Sequence, residues 1–187
     1  MGEIPREDFV PPEVRGTAYQ DDPLPIAYGQ TISQPYMTAF MAELLQLTGR
    51  ETVLEVGSGS GYAAAVLGAL AGQVVTVELV PELAAYARHN LEQTGRERNV
   101  LVICGDGSRG YPALAPYDAI SVAAAAPEVP HALLQQLADP GRLVIPIGDR
   151  DDQELRVIRK RAGKLESTVA THCRFVPLLG NEGWARQ

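Results

Sequence analysis

The chain has 187 residues, 45% of them apolar, and a net charge of −7 at pH 7. That length suits one domain able to bury a core without metal or disulfide staples, and that composition is globular rather than disordered. The acidic balance argues against a sequence-independent grip on nucleic acid, which needs clustered Lys and Arg, and gives no reason to expect an anionic membrane surface as partner.

From Met1 to about Tyr28 the chain is rich in Pro and charge and has no period. It reads as an irregular arm that wraps the domain or frays. Its start, "MGEIPREDFVPPEVR", lacks the apolar stretch of a signal peptide, and Arg6 stands where a myristoylation signal wants Ser or Thr. "QPYMTAFMAELLQLTG" follows, with Met37, Phe40, Met41, Leu44 and Leu45 spaced as one apolar helix face. Ser33 stands at the natural N-cap, Pro35 in the permitted first turn, and Gly49 at the expected stop. Whether the Ser33 and Thr31 hydroxyls serve the cap or chemistry is open at this point.

Strand and helix patterns then alternate. "TVLEV" is a strand and "GYAAAVLGALAG" a helix. "QVVTVEL" is a strand, and "PELAAYARHNLEQTG" a helix entered at Pro81 and stopped at Gly95. "NVLVIC" and "YDAISVA" are strands, "PEVPHALLQQLADPG" a short helix ended by Pro140–Gly141, and "RLVIPIG" a strand. Nearly continuous apolar strands suit a parallel sheet buried on both faces, so the alternation implies a doubly wound α/β fold with right-handed crossovers. The tail, with "LRVIRKR" and the turn Ala162–Gly163, reads as an antiparallel hairpin at the sheet's end. The longest mostly apolar stretch, Tyr62 to Val77, is broken by Gly68, Gly72 and Gln73 and is too short to span a bilayer. Cys104 and Cys173 match no metal or redox spacing and are expected as small buried or half-buried residues in a reducing compartment.

The strongest motif is "LEVGSGSGYAA", where a strand turns into a helix. Gly57, Gly59 and Gly61 allow a tight turn and close approach of a ligand. A nicotinamide fingerprint wants glycines at 57, 59 and 62, but Tyr62 stands there. Glu55 is out of place beside a pyrophosphate and suits the cationic end of S-adenosylmethionine. Glu78, ending the second strand, is placed to accept from ribose hydroxyls; Asp106, ending the third, from an adenine amino group, with Gly107 leaving room for the ring. Each piece alone has a plain structural meaning, but the set falls at three successive strand ends, where open α/β sheets bind ligands.

"DDPLPIAYGQTISQPYMTAFMAELL", "VLEVGSGSGYAAAVL", "GDGSRGYPALAPYDAI", "AAAPEVPHALLQQL", "GRLVIPIG" and "RFVPLLG" together resemble the protein-L-isoaspartate O-methyltransferase family over nearly the whole chain. The resemblance implies a class I, Rossmann-like methyltransferase as a single domain: arm 1–28, substrate loop and first helix 29–49, core and C-terminal strands 50–187. It implies S-adenosylmethionine as methyl donor, with S-adenosylhomocysteine as product, held by Glu55, Gly57, Ser58, Gly59, Gly61, Glu78, Leu79, Asp106 and Gly107. It implies Ser33 and Thr31 at the active site, and Ile32, Ala123, Ala124 and Val176 against the substrate, with no metal. The implied substrate is the free carboxylate of L-isoaspartyl, or D-aspartyl, residues in damaged polypeptides, and a cytoplasmic monomer with no nucleic-acid or membrane partner is expected. Ala27 stands where the family usually has Gly, and Ala123 where Thr is frequent. The arm is the segment expected to exclude water as a lid. Other readings are a methyltransferase for small molecules or tRNA, and a non-catalytic cofactor-binding module.

Overall fold

The computed structural model of the chain describes residues 2–185. Two short strands, β1 (Leu24–Pro25) and β2 (Thr31–Ile32), form an antiparallel ribbon ahead of helix α1 (Pro35–Leu45). The main sheet and its helices follow in chain order: β3 (Thr52–Val56), α2 (Tyr62–Leu70), β4 (Gln73–Glu78), α3 (Pro81–Gln93), β5 (Val100–Cys104), β6 (Tyr117–Val122), α4 (His131–Gln136), β7 (Leu137–Gly148), β8 (Gln153–Arg161) and β9 (Lys164–Cys173). Seven strands lie in the order β5-β4-β3-β6-β7-β8-β9. The first five are mutually parallel, and β7, β8 and β9 form an antiparallel meander.

Strand residues alternate between two cores, as the two-residue period of a strand requires. Val53, Val74 and Ala119 face a cluster built with α1, α2, α3 and the arm. Leu54, Val75 and Ile120 face the other, with Leu133 of α4 and Leu178 of the C-terminal segment. From β3 the chain steps outward through α2 and α3 on one face. It then returns to the far side of β3 and continues through α4 on the other face, as right-handed crossovers in opposite directions demand. The gap this leaves at the carboxyl ends of β3 and β6 is where such sheets take ligands.

The arm wraps the domain. Ile4, Arg6, Phe9, Val10 and Ala18 are buried in the first core. Phe9 packs edge-on against Tyr62, the Arg6 guanidinium lies 5.1 Å from the Tyr62 ring centroid, and Arg6 Nε donates to the Ala18 carbonyl at 2.7 Å.

Several boundaries differ from the sequence reading. Helix α1 ends at Gln46 in the left-handed conformation, before Gly49. Its N-cap is Gln34, not Ser33; an acceptor for the first-turn N–H of Tyr36 comes from Asp21 Oδ1 in the arm, at 2.8 Å. Helix α4 has only six residues, because Leu137 already pairs with Tyr117 as strand. Cys104 is exposed, since β5 is the sheet's edge, whereas Cys173 is half-buried with its thiol pushed up to about 11 by desolvation; both are unpaired. The hairpin turn falls at Ala162–Gly163, both in the left-handed region. Ala27 keeps a negative φ; it is Tyr28 that turns left-handed, so alanine at 27 carries no backbone strain. No helix among the described residues is long and apolar enough to cross a membrane.

The loop entering β3 is tied by Glu51, whose carboxylate accepts from the Thr48 hydroxyl and the N–H groups of Thr48, Gly49 and Arg50. Desolvation opposes ionisation there, but the Thr48 and backbone donors outweigh it and hold the carboxyl down at about 2. A folded-state value below the unfolded one gives stability present above about pH 4.5 and lost as pH falls through about 2. Glu51→Gln is therefore expected to lower the urea midpoint at pH 7 relative to wild type, with the gap narrowing as pH falls toward 2; midpoints at both ends of that range check it.

Candidate active site

A cleft of about 120 Å³ opens at the carboxyl ends of β3, β4 and β6. The turn after β3 makes its floor: Gly57, Gly59 and Gly61 all adopt positive φ, which non-glycine residues resist. Gly107 lies against β3, and a Cβ there would stand 2.5 Å from Val56 Cγ1. Glu78, 7% exposed at the end of β4, accepts from the Gly59 N–H at 2.9 Å through Oε2 and from the Val80 N–H at 3.0 Å through Oε1. Each oxygen keeps acceptor capacity beyond these bonds.

The opposite wall comes from the other end of the chain. Ala125 N–H donates to the Val176 carbonyl and Leu178 N–H to the Ala125 carbonyl, both at 2.8 Å, and Trp184 Nε1 reaches that same carbonyl at 3.1 Å. These bonds hold the segment from Val176 alongside the extension of β6, where Val176 to Leu179 line the same cleft as Leu79 and Val80. Thr31 and Ile32 of the ribbon and Ser33 just after it also line the cleft.

Thr31, Ile32, Ser33, Gly57, Ser58, Gly59, Glu78, Leu79, Gly107, Ala123, Ala124 and Val176 thus come together in one cleft from separate elements. Glu55, Gly61 and Asp106 do not line it. Gly61 instead meets helix α3: an added Cβ would lie 3.1 Å from the Ala87 carbonyl oxygen. Asp106, expected to face an adenine, caps its own turn. Its Oδ1 accepts from Ser108 N–H at 3.0 Å and Ser108 Oγ at 2.6 Å, and its Oδ2 from Asn181 N–H at 2.8 Å. The carboxylate that looked free for a ligand is the anchor of the C-terminal turn.

Glu55, expected beside a cationic ligand, lies behind the cleft wall at 1% exposure. Thr76 Oγ1 donates to its Oε2 at 2.5 Å, while its Oε1 has no partner. Desolvation drives its carboxyl up to about 8, against the lowering effect of the Thr76 bond and with a smaller push from Glu78. At neutral pH it is a neutral acid, since a buried charge without a counterion is too costly.

Sequence reasoning missed Thr38, Tyr62, Val80 and Leu179 among the lining residues. Thr38 carried a signal: it is a hydroxyl beside Met37 on a helix face that buries Met37, Met41 and Leu45. Leu179 carried none, because only long-range pairing brings it here.

The lining tests which nucleotide ligand fits. It includes no Lys, Arg or His, and the Gly59 N–H is already given to Glu78 rather than free for a phosphate. A pyrophosphate dinucleotide is poorly served, and a phosphate-free, cationic nucleoside with ribose hydroxyls for Glu78 and a flat base between aliphatic walls fits. Fold and site together define a class I S-adenosylmethionine-dependent methyltransferase.

The family model described as Protein-L-isoaspartate(D-aspartate) O-methyltransferase matches residues 1–183. The protein-L-isoaspartate O-methyltransferase of Hyperthermus butylicus is 53% identical, over 98% of this chain and 81% of its own length. A solved protein-L-isoaspartate O-methyltransferase superposes with a TM-score of 0.86 at 33% identity; the match covers 97% of this chain and 60% of that one. A Plasmodium falciparum structure assigned the same activity, in complex with S-adenosyl-L-homocysteine, superposes with a TM-score of 0.81 at 27% identity, over 96% of this chain and 88% of that one. The chain belongs to the protein-L-isoaspartate (D-aspartate) O-methyltransferase family.

Gly107→Ala is expected to cost about 1–3 kcal/mol of stability through overpacking against Val56, and to weaken S-adenosylhomocysteine binding about tenfold as the backbone is pushed into the cleft. Thermal melts and calorimetric titration read the two effects separately.

Proposed function

We propose that this chain transfers a methyl group from S-adenosylmethionine to the free carboxylate of L-isoaspartyl, or D-aspartyl, residues in damaged polypeptides, with Ser33 and Thr31 positioning that carboxylate. The methyl ester then cyclises to a succinimide, whose opening returns some normal aspartyl peptide; this outcome follows from the family. When bound, the cofactor supplies an electrophilic methyl on a sulfonium. Glu78 accepts from its ribose, Gly57, Ser58, Gly59, Leu79 and Gly107 shape its seat, and the aliphatic walls exclude water.

The carrying observation is that the Ser33 hydroxyl is spared from capping α1 because Asp21 serves the first turn instead. Ser33 lines the cleft, and its Oγ is not held as the acceptor of a helix cap. A carboxylate is already ionised at neutral pH, with a pKa near ~4, so no general base is required. Neutral hydroxyl donors hold it without blunting its nucleophilicity, as a Lys or Arg partner would. What remains is positioning and partial desolvation, which Ile32, Ala123, Ala124 and Val176 support as the apolar surround of the mouth. An extended peptide segment suits this mouth, since backbone bonding tolerates varied sequences.

The acidic charge supports a reaction without nucleic acid, and two unpaired cysteines support a reducing, cytoplasmic setting for a monomer acting as a single domain. The test is methyl transfer to one peptide made with either isoaspartate or aspartate at the same position. Wild type is expected to methylate the isoaspartyl form alone. Ser33→Ala is expected to raise the peptide KM about tenfold or more, the loss of a hydrogen bond to a charged group, with cofactor affinity and helix content unchanged. Methylation of neither peptide refutes the assignment; a loss that tracks stability returns Ser33 to a structural role.

A further inference from the structure

Behind the main cleft lies a second cavity of about 20 Å³, bounded by Ser33, Thr38, Glu55 and Ser121 and otherwise by apolar side chains. It is large enough for one water, for which about 10–15 Å³ suffices, and its polar lining offers the several partners a buried water needs. Glu55, whose Oε1 has no partner, belongs to this lining, as does Ser33, which also lines the main cleft.

The hydrogen-bond directions follow from the donors. Thr76 has one hydroxyl hydrogen and gives it to Glu55 Oε2, so Ser58 Oγ, 2.6 Å from Thr76 Oγ1, is the donor to Thr76. Ser58 lines the main cleft. In this arrangement the hydrogens run from Ser58 through Thr76 to Glu55 Oε2, and an acid proton on Oε1 is compatible with it.

We propose that Glu55 is a positioning residue for the reaction: it donates from Oε1 to a single water in the small cavity, that water donates to Ser33 Oγ, and the Ser33 hydrogen is thereby turned outward to the substrate carboxylate. The inference rests on the reading of Ser33 as the substrate positioner. Ionised, Glu55 accepts instead of donating, the chain reverses, and the anion competes with the substrate for the Ser33 hydrogen. The state of Glu55 is governed locally. Ser33 faces it from the link between β2 and α1, Thr38, Met41 and Ala42 from α1, Ala63, Val66 and Leu67 from α2, and Ser121 from β6, none of them charged; Thr76 and Glu78 face it from β4, and Glu78 is the ionisable neighbour that acts on it. Its value of about 8 puts the reversal within reach of a pH series.

Initial rates of S-adenosylhomocysteine formation with an isoaspartyl peptide, from pH 6.5 to 9.5, test this in wild type, Glu55→Gln, Glu55→Leu, Ser33→Ala and the double variant Glu55→Leu/Ser33→Ala. In wild type the peptide KM is expected to rise about tenfold as pH climbs through about 8, with kcat little changed. Glu55→Gln, whose amide always donates, is expected to keep KM low across the range. Glu55→Leu is expected to raise KM about tenfold at pH 7, and to add nothing in the Ser33→Ala background. Infrared spectra of the cofactor-free protein at pH 7 are expected to show a protonated carboxyl band that Glu55→Gln removes. A wild-type KM profile matching that of Glu55→Gln, additive losses in the double variant, or no such band overturns the inference. A Ser33→Ala protein with wild-type KM overturns the reading of Ser33 itself. If Glu55→Leu does not fold, the pH comparison with Glu55→Gln and the infrared band still decide.

Discussion

Strand β3 is hydrogen-bonded on one edge to β4 and on the other to β6, and the chain leaves those two neighbours in opposite directions. Right-handed crossovers then place helices on opposite faces, and no element covers the carboxyl ends of β3 and β6. Everything functional hangs on that opening. The glycine turn after β3, Glu78 at the end of β4 and Ala123 just past β6 are brought to one cleft by strand register alone. Doubly buried strands carry these parts, and direct contacts lock them together: Glu78 accepts from the Gly59 N–H, and a Cβ on Gly57 would stand 3.6 Å from Ala123 Cβ.

The arm and the C-terminal segment complete the site from opposite ends of the chain. Arg6 and Phe9 fasten the arm to Tyr62, which lines the cleft, and Ile26 comes within 3.4 Å of where a side chain on Gly59 would begin. The arm therefore packs on the core beside residues of the cleft without lining the cleft itself. Asp21 gives it a further role, because the backbone donor it satisfies on α1 is one that Ser33 would otherwise be drawn to serve. A helix start whose orphan N–H is met from elsewhere can spare its own hydroxyl for a ligand.

Three carboxylates at successive strand ends have three different duties. Glu78 is open to the cleft while bracing the glycine turn. Asp106 is consumed by Ser108 and Asn181. Glu55 is buried and neutral beside Thr76. Their spacing along the chain is equally suggestive for all three; their solvent access and donors are not alike. Glu55, which meets a single hydroxyl in an apolar wall, takes up a proton.

The sequence by itself determined the alternation of strands and helices, the parallel core with its antiparallel tail, and the glycine turn that admits a nucleoside. These are read from local periods of two and 3.6 residues and from residues whose backbone preferences act within a few positions. "TVLEV" coincides with β3, and the hairpin turn falls where Ala162–Gly163 pointed. Only the tertiary structure decided that Ser33 does not cap α1, which acid faces the cleft, and that Leu179 walls it. Those outcomes depend on partners remote in the chain: Asp21 for α1, Thr76 for Glu55, and Asn181, 75 residues from Asp106. A short local pattern states what a side chain is able to donate or accept; only the packed fold supplies the neighbour that claims it.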